Sequence, residues 1–247
     1  MVINVRLTER DLALLFGCYE NVFLTFEQIG KRYFKDKSTS TAYSRISQLM
    51  RGGFLQSHRI GGILDKHSTV SCVYQITRNA LEVLEKNYPD VAFKRDLVKL
   101  NSTSLYHDYQ LAEVLHFLKG EYGDLSFKNA KTQCENFESR DKLPDAIIYD
   151  KNDKIVGALE LELTQKSDRR YREIVTDYRL SRTFLKIVYV YSNDGIATKI
   201  KEVVRGKAIV GLNQIDTGKF YFVKIQSLLN NNKALITNGK NAFNMAA

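Results

Sequence analysis

The chain has 247 residues, 44% of them hydrophobic and 26% charged, which excludes wholesale disorder and leaves room for one large domain or two small ones. Its 37 Lys and Arg stand against 28 Asp and Glu, a net charge of +9 that suits an anionic partner. No apolar run approaches the roughly 18 residues of a membrane span, and Met1 is followed by VINVRLTERD, which carries charges where a signal peptide needs an apolar stretch. No membrane insertion is expected. Cys18, Cys72 and Cys134 are odd in number and scattered. They exclude a disulfide framework and a Cys-rich zinc site, and they suit a reducing cytoplasm.

In chain order, Thr8 is a candidate cap for a helix over ERDLALLFGCYE. Thr25 and Gln28 fit a capping box ahead of FEQIGKRYF. A third helix, TAYSRISQLMR, follows a polar stretch and stops at Gly52-Gly53. Two β-rich segments, FLQSHRI and TVSCVYQIT, then flank a glycine-containing turn. TRNALEVLEKNY reads as a closing helix. Three helices followed by a hairpin give a winged helix-turn-helix over residues 1–88. Its third helix would enter the major groove of duplex DNA. Between residues 31 and 60 seven cations face a single acid, Asp36. The candidate DNA contacts are Lys31, Arg32, Tyr43, Ser44, Arg45, Ser47, Gln48 and Arg51, with Arg59 and Lys66 on the wing beside His67. Reversing Arg45 and Arg51 to Glu is expected to abolish DNA binding.

Residues 89–101 read as a linker. From residue 102 to 229 the texture changes to a second domain, and 230–247 resembles a polar tail. SLYHDYQLAEVLHFLKGEYG is helical, and LSFKNAKTQ is a strand. Strands around Ile147-Ile148 and over Ile155–Leu163 flank a KND turn. SDRRYREIVTDYRLSRTF is a helix capped by Ser167 or Asp168, and KIVYVYSN is a buried strand. GIATKIKEVVRG is a further helix. The domain is therefore α/β, and the whole chain combines it with an α+β first domain.

One constellation in this domain carries chemistry. Pro144-Asp145 opens a strand, and Glu160, Glu162 and Lys166 lie along the next. Alternation puts the two glutamates on one face, expected to be polar, with Leu159, Leu161 and Leu163 turned to the core. If the Asp145 strand pairs beside it, three carboxylates converge. Such a cluster is costly without a cation, and hard oxygen donors suit Mg2+ or Mn2+. Arg172 and Arg179 on the following helix are placed to track a DNA backbone. His107, beside Asp108, is a candidate for orienting phosphate or water. The four histidines form no H-x-H pair of metal ligands. Tyr19, Tyr106 and Tyr178 are candidate nucleophiles.

Pro144-Asp145 followed by Glu160-Leu161-Glu162 resembles the PD-(D/E)xK nuclease signature, with Glu162 in the place of its lysine. Lys166, further along the same face, is placed to supply that cation. Together with LTERDLALLFGCYENVFLTFEQI, STAYSRISQLMRGGFL, HDYQLAEVL and DYRLSRTFLKIVYVYS, it resembles the replication-relaxation family over roughly residues 7–192. That family's plasmid branch includes MOB-C class mobilisation relaxases. The resemblance implies a winged helix ahead of a restriction-endonuclease-like domain with a mixed sheet flanked by helices. It implies nicking of plasmid DNA at a transfer origin with Mg2+ or Mn2+. Asp145, Glu160, the Leu161 carbonyl and Glu162 would be the ion's ligands. Duplex and nicked plasmid DNA, and other mobilisation or coupling proteins, would be its partners. The competing expectation is a non-catalytic DNA-binding regulator of plasmid replication or mobilisation with a degenerate nuclease fold.

Overall fold

The computed structural model of the protein describes residues 5–60, 72–133, 143–206, 217–230 and 236–237. Each helix start leaves backbone amides without carbonyl partners, and the sequence supplies side chains for them. The Thr8 hydroxyl accepts the Asp11 amide at the start of α1 (Glu9–Glu20), and the Asp11 carboxylate accepts the Thr8 amide in return. Thr25 and Gln28 form the same reciprocal box at α2 (Phe26–Tyr33). Ser38 caps α3 (Thr39–Arg51), which ends at Gly52. Gly53 follows at φ +74°, where a side chain would be strained. Thr77 caps α4 (Arg78–Asn87).

The strands β1 (Leu24–Thr25), β2 (Leu55–Arg59) and β3 (Cys72–Ile76) form an antiparallel sheet in the order β1-β3-β2. Only β2 and β3 were expected from the sequence; β1 is two residues long and carries no periodic signal. The turn between β2 and β3, with Lys66 and His67, lies outside the described residues. The core here gathers Leu14, Leu15 and Cys18 of α1, Ile29 of α2, Ile46 and Leu49 of α3, and Leu84 of α4.

Residues 89–101 contain neither helix nor strand, and they pack on this core rather than standing free of it. Phe93 meets the Tyr19 ring at 5.0 Å. The Lys94 amide donates to the Tyr19 hydroxyl at 2.7 Å, and Gln75 donates to the Val98 carbonyl at 2.7 Å. Phe93, Leu97, Val98 and Leu100 make the segment apolar enough to be held this way.

The chain divides into two compact units, residues 1–112 with 131–134, and 113–130 with 135–247. The division falls within α5 (Leu105–Glu121). In the second unit β4 (Ser126–Asn129), β5 (Ala146–Tyr149), β6 (Ile155–Glu162), β7 (Lys186–Tyr191) and β8 (Phe220–Lys224) lie in chain order in one sheet. The pairs β4–β5 and β5–β6 are antiparallel, while β6–β7 and β7–β8 are parallel. The tight β5–β6 turn is held by Asp150, whose carboxylate accepts the amides of Asn152 and Lys154 at 2.8 and 3.0 Å. Helices α6 (Asp168–Leu180), capped by Ser167, and α7 (Asp194–Arg205), capped by Asn193, make the parallel crossovers. Tyr171, Ile174, Val175 and Tyr178 of α6 pack with Ile196, Ile200 and Val204 of α7 on one face of the sheet. A short α8 (Ile225–Asn230) follows β8. The chain is thus an α+β protein with a mixed five-stranded sheet and a smaller three-stranded one. Among the described residues no helix is long and apolar enough to cross a membrane.

Gly157 is the tightest point of the parallel seam. A Cβ there would stand 2.6 Å from the Lys186 carbonyl of β7, a backbone atom that cannot turn away. Gly157→Ala is expected to cost about 1–3 kcal/mol through forced separation of β6 and β7. A urea midpoint equal to wild type would show that the strands part without cost.

Candidate functional site

The register of the sheet decides where the carboxylates go. Ala146 pairs with Leu159, and Asp145, one residue before β5, donates its amide to the same Leu159 carbonyl at 3.1 Å, so the ladder is irregular there and the Asp145 carboxylate turns to the backbone of β6. Glu160 pairs with Tyr189 of β7. Paired residues share a face, so Glu160 and Tyr189 lie together, with Glu162 two residues along. This corrects the expectation of a polar face. It is the face that carries Ile147, Ala158 and Ile187 and packs against α6 and α7. Glu160 and Glu162 are 2% and 1% exposed, and Leu159 and Leu161 on the other face are as deeply buried. A strand buried on both sides has no solvent side for its glutamates.

Burying carboxylates is costly unless each finds partners, and here each does. The Tyr178 hydroxyl of α6 donates to Glu160. Lys166, just past β6, pairs with Glu162. Asp145 accepts the Leu161 amide through Oδ2 at 2.8 Å. Leu161 thus meets Asp145 through its N–H. The Lys166 amide donates to the Tyr171 hydroxyl at 3.1 Å, which fixes the start of the loop into α6. The Tyr189 hydroxyl is buried and makes no hydrogen bond among the described residues. Burial, and then the negative charge of Glu160, hold the Tyr178 and Tyr189 phenols well above the usual tyrosine range. Both stay protonated at neutral pH. Sequence reasoning missed Tyr189 and the role of Tyr178 toward Glu160. The spacing of Tyr171, Ile174, Val175 and Tyr178 was the signal that Tyr178 faces the sheet.

The donor chemistry of Asp145, Glu160 and Glu162 is that of a hard-cation site. Their arrangement is not: among the described residues no three His, Cys, Asp or Glu side chains stand close enough to hold an ion. The residues as placed do not fit the Mg2+ or Mn2+ that the sequence resemblance implies. An ion would have to compete with Tyr178 for Glu160 and with Lys166 for Glu162.

The first unit sorts its cations sharply. Arg45 binds inward. It grips the Asp11 carboxylate with Nε at 2.9 Å and Nη2 at 2.6 Å, and it also reaches the Arg6 carbonyl and Gln48 Oε1, both at 2.8 Å. Arg32 donates to the Ala112 carbonyl at 2.9 Å, and Lys31 pairs with Glu27 at 2.7 Å. Lys35, Lys37, Arg51 and Arg59 are exposed and form no ion pair among the described residues. Tyr43 and Ser44 are also exposed, while Ser47 and Gln48 are half-buried. On α6, Arg172 is exposed, but Arg179 turns onto the last turn of α7, donating to the Val203 and Val204 carbonyls at 3.3 and 2.6 Å.

His107 belongs to the first unit, whereas the carboxylate row belongs to the second. It lies 3.7 Å from Asp108, whose buried carboxylate also takes Lys131 at 2.5 Å and Ser104 at 3.0 Å. Burial pushes the Asp108 carboxyl up, and the hydrogen bonds from His107 and Lys131 more than offset it, leaving it below the usual range. Of the candidate nucleophiles, Tyr19 is buried and donates to the Thr132 carbonyl at 2.9 Å, and Tyr178 is held by Glu160. Tyr106 is exposed, and its hydroxyl accepts from Gln110. Compared with family models, with curated proteins and with solved structures, the chain matches none.

Proposed function

We propose that the chain is a DNA-nicking relaxase of plasmid mobilisation, with a winged helix that binds a transfer origin and a PD-(D/E)xK-like second unit that cuts a phosphodiester. The observation that carries this reading is the carboxylate row. Asp145, at the start of β5, accepts the Leu161 amide between Glu160 and Glu162 of β6, and the Lys166 ammonium lies against Glu162. In support, the order α1–β1–α2–α3–β2–β3 agrees with a winged helix, and a mixed sheet with helices packed on it agrees with the nuclease resemblance. The charge of +9 suits a polyanion.

In this reading Lys166 is the cation that meets the scissile phosphate, since its side chain is 36% exposed while its partner Glu162 is 1% exposed. Glu162 accepts a proton from the attacking water as the water oxygen bonds to phosphorus, and the P–O bond to the sugar breaks with the leaving oxygen protonated by the Lys166 ammonium. Glu160, held by Tyr178, keeps the negative field that orients that water. The pairing of every carboxylate with a protein group favours a second reading, a DNA-binding regulator of plasmid replication or mobilisation without catalysis. A supercoiled plasmid incubated with the full chain, with and without Mn2+, separates the two. Open circles support the relaxase. Intact plasmid that is nevertheless bound supports the regulator.

A further inference from the structure

The face of α3 points to a more specific mode of DNA contact than the proposed function requires. The helix contains no acidic residue, and its sequence TSTAYSRISQLMR has two cations. One of them, Arg45, is consumed by Asp11. What α3 leaves on the surface is Thr39, Ser40, Thr41, Tyr43, Ser44 and, at its end, Arg51. Tyr43 is 63% exposed, more than any other large apolar side chain among the described residues, and its ring leans 6.3 Å from that of Phe26. An aromatic held out on a helix face is costly in water and gains from an apolar contact. Flanking it in sequence are exposed cations without an ion pair among the described residues: Lys35 and Lys37 before the helix, Arg51 at its end and Arg59 on β2.

We infer that this surface reads duplex DNA by a division of labour, Tyr43 packing on thymine 5-methyl groups in the major groove while Lys35, Lys37, Arg51 and Arg59 hold phosphates. The inference rests on the DNA-binding half of the proposed function. The thymine methyl is the one apolar feature of the major-groove edge. A face with hydroxyls around a bare aromatic ring, and with its central arginine turned inward, offers little for the paired acceptors of guanine. The flanking cations complement the two backbones that border a groove.

The test uses the full chain and two short duplexes of identical A·T composition, one carrying thymine and the other deoxyuridine at every thymine position. They differ only in the methyl groups and carry the same charge. Wild type is expected to bind the thymine duplex at least about four-fold more tightly, the worth of one buried methyl. Tyr43→Ala erases the difference and leaves the salt slope unchanged. Lys35→Gln and Arg59→Gln each lower that slope by about 0.9 and keep the thymine preference. Equal binding of both duplexes by wild type, or a preference that survives Tyr43→Ala, overturns the inference while DNA binding itself stands. Binding of neither duplex at low salt overturns the inference together with the DNA-binding reading on which it rests.

Discussion

Arg45→Ala is expected to destabilise the first unit by about 3 kcal/mol, because it leaves a buried carboxylate without its cation. The Asp11 side chain is fully buried and that of Arg45 is 18% exposed. Two of the guanidinium's bonds go to the two Asp11 oxygens and tie α3 to the start of α1. The pH dependence has a definite sign. Burial pushes the Asp11 carboxyl up, and the hydrogen bonds from Arg45 and Thr8 more than offset it, so the folded value lies below the ordinary one. The contribution to stability is then complete above about pH 4 and is lost as pH falls through the folded value. The gap in melting temperature between wild type and Arg45→Ala should therefore be wide at neutral pH and narrow in acid. A gap that widens in acid would contradict it. A further consequence follows for DNA binding. Reversal of Arg45 to Glu sets a second carboxylate against Asp11, so lost binding in that variant reports lost packing. Arg51, exposed at the end of α3, is the arginine whose reversal tests contact with DNA.

Glu160→Gln and Glu162→Gln are each expected to slow nicking by about 100-fold or more while leaving DNA binding in place. Amide substitutions are the informative ones. Gln at 160 still offers a carbonyl to the Tyr178 hydroxyl, so the α6–β6 contact survives. Alanine at 145 would instead strip the Leu161 amide of its acceptor and cost about 1–3 kcal/mol, whereas Asn at 145 keeps one. Loss of activity in an alanine variant at these positions thus mixes chemistry with packing. Circular dichroism melting alongside nicking rates separates them. An unchanged melting temperature with lost nicking assigns chemistry to the carboxylates. Unfolding of the amide variants assigns them to structure.

The parts of this molecule that were legible in the sequence are those written locally. Thr8, Thr25, Ser167, Gly52 and the turn after Asp150 each act within four residues, and each marks an element boundary in the structure. The alternation of β6 correctly put Glu160 and Glu162 on one face. It could not say which face, because Leu and Glu are here buried alike and the decision lies with α6 and α7, distant in sequence. The role of Arg45 was illegible for a related reason. A surface arginine and one clamped on an acid 34 positions away look the same in a helical stripe. The partner Asp11 was visible only as a first-turn acid. Strand β8 carries FYFVK, an apolar run too short to distinguish from the end of a loop until β7 is beside it.

The most direct measurement of the account is a nicking time course on supercoiled plasmid, with wild type and Glu160→Gln side by side in Mn2+ and in chelator, resolved on native and denaturing gels. The account predicts open circles with wild type, about 100-fold fewer with the variant, and equal retention of plasmid by both proteins. Equal nicking by the two would place the cutting residues elsewhere, and plasmid left intact by wild type under every condition would contradict the relaxase reading.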